Sequence, residues 1–103
     1  MSIMEKAKLA QKALKLQKEL KRMEIVAEAG DNEEVVVTAG LAISQTSMNV
    51  EIRNIAIKDE AAEDLDRLAE LIMAAVNQAN KELMAEATEK MQEIAGSMNI
   101  PGM

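Results

Sequence analysis

A chain of 103 residues makes one small domain with a narrow stability margin, and self-association would enlarge its core. It has no Cys and no His, which rules out disulfides, Ser-His-Asp or Cys-His catalysis, and the commonest transition-metal ligands; no cofactor or metal site is expected. The net charge of −6 is unevenly spread: residues 1–22 carry seven basic and two acidic side chains, whereas residues 23–103 carry five basic and sixteen acidic.

Hydrophobic residues make up 49 % of the chain, too many for a disordered tail, yet none is aromatic. The core is expected to be built from Leu, Ile, Val, Ala and Met, and there are nine Met to draw on. The first residues turn polar at once, with no apolar run behind them, and no stretch nears the roughly 18 apolar residues of a membrane span. The expectation is a soluble cytoplasmic protein without membrane contact, forming a single domain over 1–103.

Residues 2–24 contain neither Gly nor Pro and are rich in Ala, Leu, Lys, Gln and Glu, which predicts a helix. Ser2 followed by Glu5 fits a capping box. Leu9, Ala13, Leu16, Leu20 and Met23 form one apolar seam; Ile3, Ala7, Ala10 and Leu14 form a second, about 130° round the helix. Two seams imply two packing partners, the chain's own sheet and a second subunit.

Strands are expected within 25–57. Ile25 to Ala29 alternates, Gly30-Asp31-Asn32 signals a turn, and Val35-Val36-Val37 is a β-branched run. Met48 to Ile57 alternates as a half-buried strand should. The stretch from Leu41 to Ser47 either extends a strand or forms a loop, and Ser44, Thr46 and Ser47 read as turn residues.

A second helix is expected over about 60–95, with the acidic run from Asp59 to Asp66 favouring its N-terminus. That cluster lacks the Gly and spacing of a calcium loop, so it reads as a solvated helix start. Leu65, Leu68, Ile72, Val76, Ala79, Leu83, Ala87, Met91 and Ile94 step along one side. About 30 residues would run roughly 45 Å, too long for one small domain to bury. Either the helix breaks or its distal half packs on another chain. Gly96 is expected to end it, leaving an irregular tail over 96–103. The order is helix, two or three antiparallel strands, long helix, an α+β fold with helices on one sheet face. Leu9, Leu16, Leu20, Val50, Ile52, Ile72 and Val76 are the candidate dimer contacts.

Lys8, Lys12, Lys15, Lys18 and Arg22 fall within about 120° of one another on the first helix, flanking its longer seam, and span roughly 21 Å. Lys6 and Lys21 lie outside this arc. One reading is a solvated face whose lysine stems cover the seam. The other is a contact for duplex DNA, whose charges recur about every 1.7 Å of axis. Lys is a point charge suited to phosphates, and the lack of aromatic residues excludes stacking on Phe, Tyr or Trp, so duplex backbone is favoured over single strands or base edges. No Gly-rich phosphate loop and no small-molecule site is legible, and an assembly module without DNA is the alternative function.

The chain resembles the YbaB/EbfC family of nucleoid-associated proteins. The likeness rests on Leu16-Gln17-Lys18-Glu19-Leu20, on Val26-Ala27-Glu28-Ala29-Gly30 leading into Val35-Val36-Val37-Thr38, on the Leu68 to Ala79 stretch, and on the Gly96 to Met103 ending. The resemblance implies an α-β-β-β-α fold with a small antiparallel sheet, a homodimer, no catalytic residues, nucleoid association, and binding of duplex DNA that shapes rather than cuts it. The family's DNA contacts on its terminal helices can be carried over only to the basic positions of the first helix. Three places depart from the family's pattern: the acidic turn from Gly30 to Glu34, a longer Ala39 to Ser47 stretch in place of a tight turn, and Lys58-Asp59 in place of Asp-Pro.

Overall fold

A computed structural model describes residues 2–44 and 46–98, apart from the side chains of residues 94, 95, 97 and 98. The order is α1 (Ile3–Arg22), β1 (Glu24–Ala29), β2 (Val35–Ile43), β3 (Met48–Ile57), a 3-10 turn (Asp59–Glu63) and α2 (Leu65–Met98). The three strands form one antiparallel sheet in the order β1-β2-β3, and the chain is α+β as its sequence implies. The molecule is elongated, 64 × 21 × 18 Å.

Helix α1 starts as the sequence expects. The Glu5 N–H donates to Ser2 Oγ at 3.1 Å and the Ser2 N–H donates to the Glu5 carboxylate at 3.3 Å, so two otherwise orphaned donors are satisfied. Helix α2 starts later than expected. Residues 59–63 wind as a 3-10 turn, and Asp64 caps α2 by accepting from the Arg67 N–H at 3.1 Å. It also ends later, running unbroken through Gly96 to Met98. A Gly inside a helix costs only about 1 kcal/mol, which does not by itself stop it. The remaining tail, Asn99 to Met103, lies outside the described residues, as does the side chain of Ile94.

Strand β2 extends to Ile43, so the stretch after Ala39 is strand followed by a short turn rather than a long loop. The Ser44 N–H donates to the Ser47 carbonyl at 2.9 Å, and Ser44 Oγ accepts from the Ser47 N–H at 3.1 Å. These serines are turn residues, as read.

The strand register sorts the sheet into two faces. The front carries Ala29, Ala27 and Ile25 on β1, Val35, Val37, Ala39, Leu41 and Ile43 on β2, and Ile57, Ile55, Ile52, Val50 and Met48 on β3. Helix α2 lies mainly over β1 and β2, with α1 meeting β2 and α2. Ala75, Ala79, Leu83 and Ala87 of α2 are buried, together with Leu20 of α1 and the front residues Ala27, Val35, Val37, Ala39 and Leu41. The small Ala side chains let the helix sit close to the sheet. Among the described residues no Met is fully buried; Met enters the core only at its margin, where Met23 and Met91 pack.

The back face mixes Glu24, Glu28, Thr38, Glu51 and Asn54, which can face water, with Val26, Val36, Ala42 and Ala56, and Val26 is 57 % exposed. Glu24, Gly40 and Glu51 line up across it, and the pairing skips Arg53, a bulged residue of β3. The Arg53 guanidinium lies over Gly40, donating to Glu24 at 2.9 Å and Glu51 at 3.4 Å and to the carbonyls of Lys21 at 3.2 Å and Leu41 at 3.3 Å. It ties all three strands to the end of α1.

Candidate nucleic-acid interface

Helix α1 enters the sheet at its C-terminal end, where Leu20 is buried and Leu16 and Met23 pack on the core. Helix α2 reaches that same end of the molecule with Leu83, Ala87 and Met91. Beyond the sheet the two helices form a projecting arm joined by a Glu19–Lys90 ion pair of 3.4 Å.

The arc expected from the sequence stands on this arm. Lys8, Lys12, Lys15, Lys18 and Arg22 are all exposed. Leu20 is buried and Leu16 packs on the core, which anchors the seam that the arc flanks. The second apolar seam is open: Ile3 is 87 % exposed and Leu14 58 %.

Beside the inner end of the arc is a feature the sequence reading missed. Arg22 shares an open cleft with Glu86, Glu89 and Glu93 of α2. The signal was present as acidic residues at spacings of 3 and 4, which put them on one helical face. Assigning it needed the packing of α2 against α1.

Of the candidate dimer contacts, Leu20 is buried within its own chain, while Leu16, Val50, Ile72 and Val76 pack at the margin of that core. Leu9 is half-buried. Ile52 alone is counted as exposed, at 38 %, and it shares the front face with Ile55 at 41 % and Ile57 at 42 %. Three isoleucines on one strand thus continue the core face beyond the cover of the helices.

At the far end of the molecule, Glu34 is buried and forms an ion pair with Arg67 of α2. The Asn32 N–H donates to its carboxylate at 3.3 Å. The Arg67 hydrogen bond, against the opposing effect of burial, holds the Glu34 carboxyl below its ordinary value. The acidic turn from Gly30 to Glu34, a departure in sequence, is therefore a structural tie between the β1–β2 connection and α2. Among the described residues no group of carboxylates is arranged to hold a metal ion, and no helix is long and apolar enough to cross a membrane.

The geometry defines a small α-β-β-β-α protein with a cationic helical arm. The chain belongs to the YbaB/EbfC DNA-binding family, which it matches over residues 1–98. It is 34 % identical over 91 residues to a nucleoid-associated protein of Thermosynechococcus vestitus, covering 88 % of this chain and 73 % of that one. A nucleoid-associated protein of Clostridium acetobutylicum is 37 % identical over 91 residues, covering 84 % of this chain and 81 % of the relative. One from Synechocystis is 36 % identical over 104 residues, covering 96 % and 82 %. No solved structure matches the chain.

Proposed function

We propose that this protein is a non-enzymatic, nucleoid-associated DNA-binding protein of the cytoplasm. It acts as a homodimer that contacts the duplex backbone through Lys8, Lys12, Lys15, Lys18 and Arg22. The observation that carries this reading is the exposed arc on a projecting helix, five cations presented together on a molecule that is otherwise acidic. The family and the names of its relatives support DNA as the partner. Lysine charges without aromatic neighbours favour phosphates over bases, so binding is expected to tolerate sequence and to weaken steeply with salt.

The net charge of −6 opposes approach at long range, so one arc binds weakly. Two arcs in a dimer raise the effective concentration of the second contact. The uncovered Ile52, Ile55 and Ile57 strip on edge strand β3 is the best-supported place for the second subunit, because it continues an existing core and lies beside an unpaired strand edge.

A gel-shift titration on mixed-sequence duplex tests this reading. Wild type should bind at low salt, with affinity falling linearly in log–log form, and K8E/K12E/K15E/K18E should abolish binding while keeping its helical circular dichroism. Unchanged binding by that variant would remove the arc from the site. The open Ile3 to Leu14 seam favours a second reading, an assembly module. Purification in a stoichiometric complex with another protein, with no duplex binding at low salt, would establish it instead.

A further inference from the structure

The cationic arc does not face solvent alone along its length. Helix α1 meets the sheet with its C-terminus, and α2 leaves the sheet at the same end, so the two run antiparallel in the arm. The Glu19–Lys90 pair sets their register. At about 1.5 Å per residue, Glu86 is level with Met23, Glu89 with Leu20 and Glu93 with Leu16. Lys18 and Arg22 lie within this stretch. Lys15 is about 1.5 Å beyond it, Lys12 about 6 Å and Lys8 about 12 Å, so only Lys8 lies farther off than the screening length of about 8 Å at physiological salt.

The cleft sharpens the contrast. It brings four carboxylates, those of Glu19, Glu86, Glu89 and Glu93, against the two cations Arg22 and Lys90. Glu19 and Lys90 are paired with each other, which leaves Arg22 facing three carboxylates. A phosphate approaching Arg22 also approaches this acidic wall, and one at Lys18 is level with it along α1, whereas one approaching Lys8 is beyond it. We propose that Glu86, Glu89 and Glu93 restrain the arc, confining backbone contact to its outer part and holding affinity below what five cations would provide. The inference rests on the DNA-binding reading above and specifies how that site is regulated: α2 sets the footprint of α1. Any polycation or partner that neutralises the wall would lengthen the footprint inward.

The test compares E86Q/E89Q/E93Q with E60Q/E63Q/E70Q, which makes the same change in net charge about 30 Å or more along the chain from Lys90. Duplex affinity is measured for both and for wild type across a salt series. The wall variant should bind several-fold tighter than the remote variant at low salt. Its log–log salt slope should be steeper by up to about 1.8, at about 0.9 for each cation released to a phosphate. Adding K18E/R22E should then weaken the wall variant more than it weakens wild type. Equal affinity for the wall and remote variants, or an equal effect of K18E/R22E in both backgrounds, would overturn the restraint while leaving DNA binding intact. Failure of wild type and wall variant alike to bind duplex at the lowest salt would overturn the DNA-binding reading and this inference with it.

Discussion

At Gly40 the back of the sheet is low enough for a guanidinium to lie flat across it. A Cβ there would clash with the Arg53 guanidinium. G40A is therefore expected to displace the end of the flexible Arg53 side chain from Glu24 and Glu51 and to destabilise the fold by about 1 kcal/mol, read from urea unfolding. In an R53A background the same change should do much less, since the clash is gone; strictly additive losses would show that the two residues are uncoupled. Glu34 supplies a second residue-level expectation. Its folded pKa is lowered below the ordinary 4.5, so its ionised form favours the folded state. That stability is fully present above the unfolded pKa and is lost as pH falls through the folded one. The urea midpoint should drop on acidification below about 4.5, and E34Q should be less stable at neutral pH and flatter over that window. An unchanged acid profile in E34Q would assign the loss to other carboxylates. Neither residue announces itself in the sequence. Arg53 reads as one polar position of an alternating strand, and Glu34 as one of several acids in a turn; their roles arise from a bulge and from contact with a helix thirty residues on.

Single elements were more legible where local physics decides them. The capping box at Ser2, the alternation of β3 and the serine turn each depend on neighbours a few residues apart, and each is found where the pattern puts it. The misjudged limits are those where tertiary packing outweighs propensity. Asp59 to Glu63 has the acidic composition of a helix start but winds as a 3-10 turn, with Asp64 supplying the cap. Gly96 does not end α2, and a Cβ at that position would meet nothing, so its lack of a side chain answers no crowding. The buried line on α2 also differs from the expected seam. Leu68, Ile72, Val76, Ala79, Leu83, Ala87 and Met91 of that seam are buried or pack on the core, Ala75 joins them, and Leu65, 71 % exposed, does not. Alanine at Ala75, Ala79 and Ala87 sets how near α2 approaches the sheet, which yields an element-level expectation. A79L should destabilise by about 1–3 kcal/mol through overpacking, whereas A85L on the exposed face should stay within about 0.5 kcal/mol, both read from chemical unfolding. A tolerated A79L would mean that the helix can lift without loss.

For the whole molecule, the sequence made the charge polarity and the α+β order plain, but not the distribution of apolar surface. Two seams on α1 pointed to two packing partners, the sheet and a second subunit. The structure packs the inner part of the longer seam, from Leu16 to Met23, on the core, leaves the Ile3 to Leu14 seam open, and leaves Ile52, Ile55 and Ile57 of β3 part-exposed on the front face. If β3 is the dimer face, I55E should convert a dimer to a monomer by light scattering with its helical circular dichroism preserved. Its duplex affinity should fall by about a hundredfold as the second arc is lost. A variant that stays dimeric would move the interface elsewhere, with the open Ile3 to Leu14 seam the next surface to test.

Helix α2 carries one further consequence. Its buried residues recur every four positions from Ala75 to Ala87, and each step of four advances the contact direction by about 40°. The same unbroken rod therefore faces the sheet early and α1 late, turning the corner with no hinge. Arm and sheet behave as one stiff lever, and the orientation of the tip is a matter of helical phase. One residue inserted just after Ala87 would rotate everything beyond it by about 100° and advance it by about 1.5 Å. Length changes in this helix would thus re-aim the arm, where in a jointed molecule they would be absorbed.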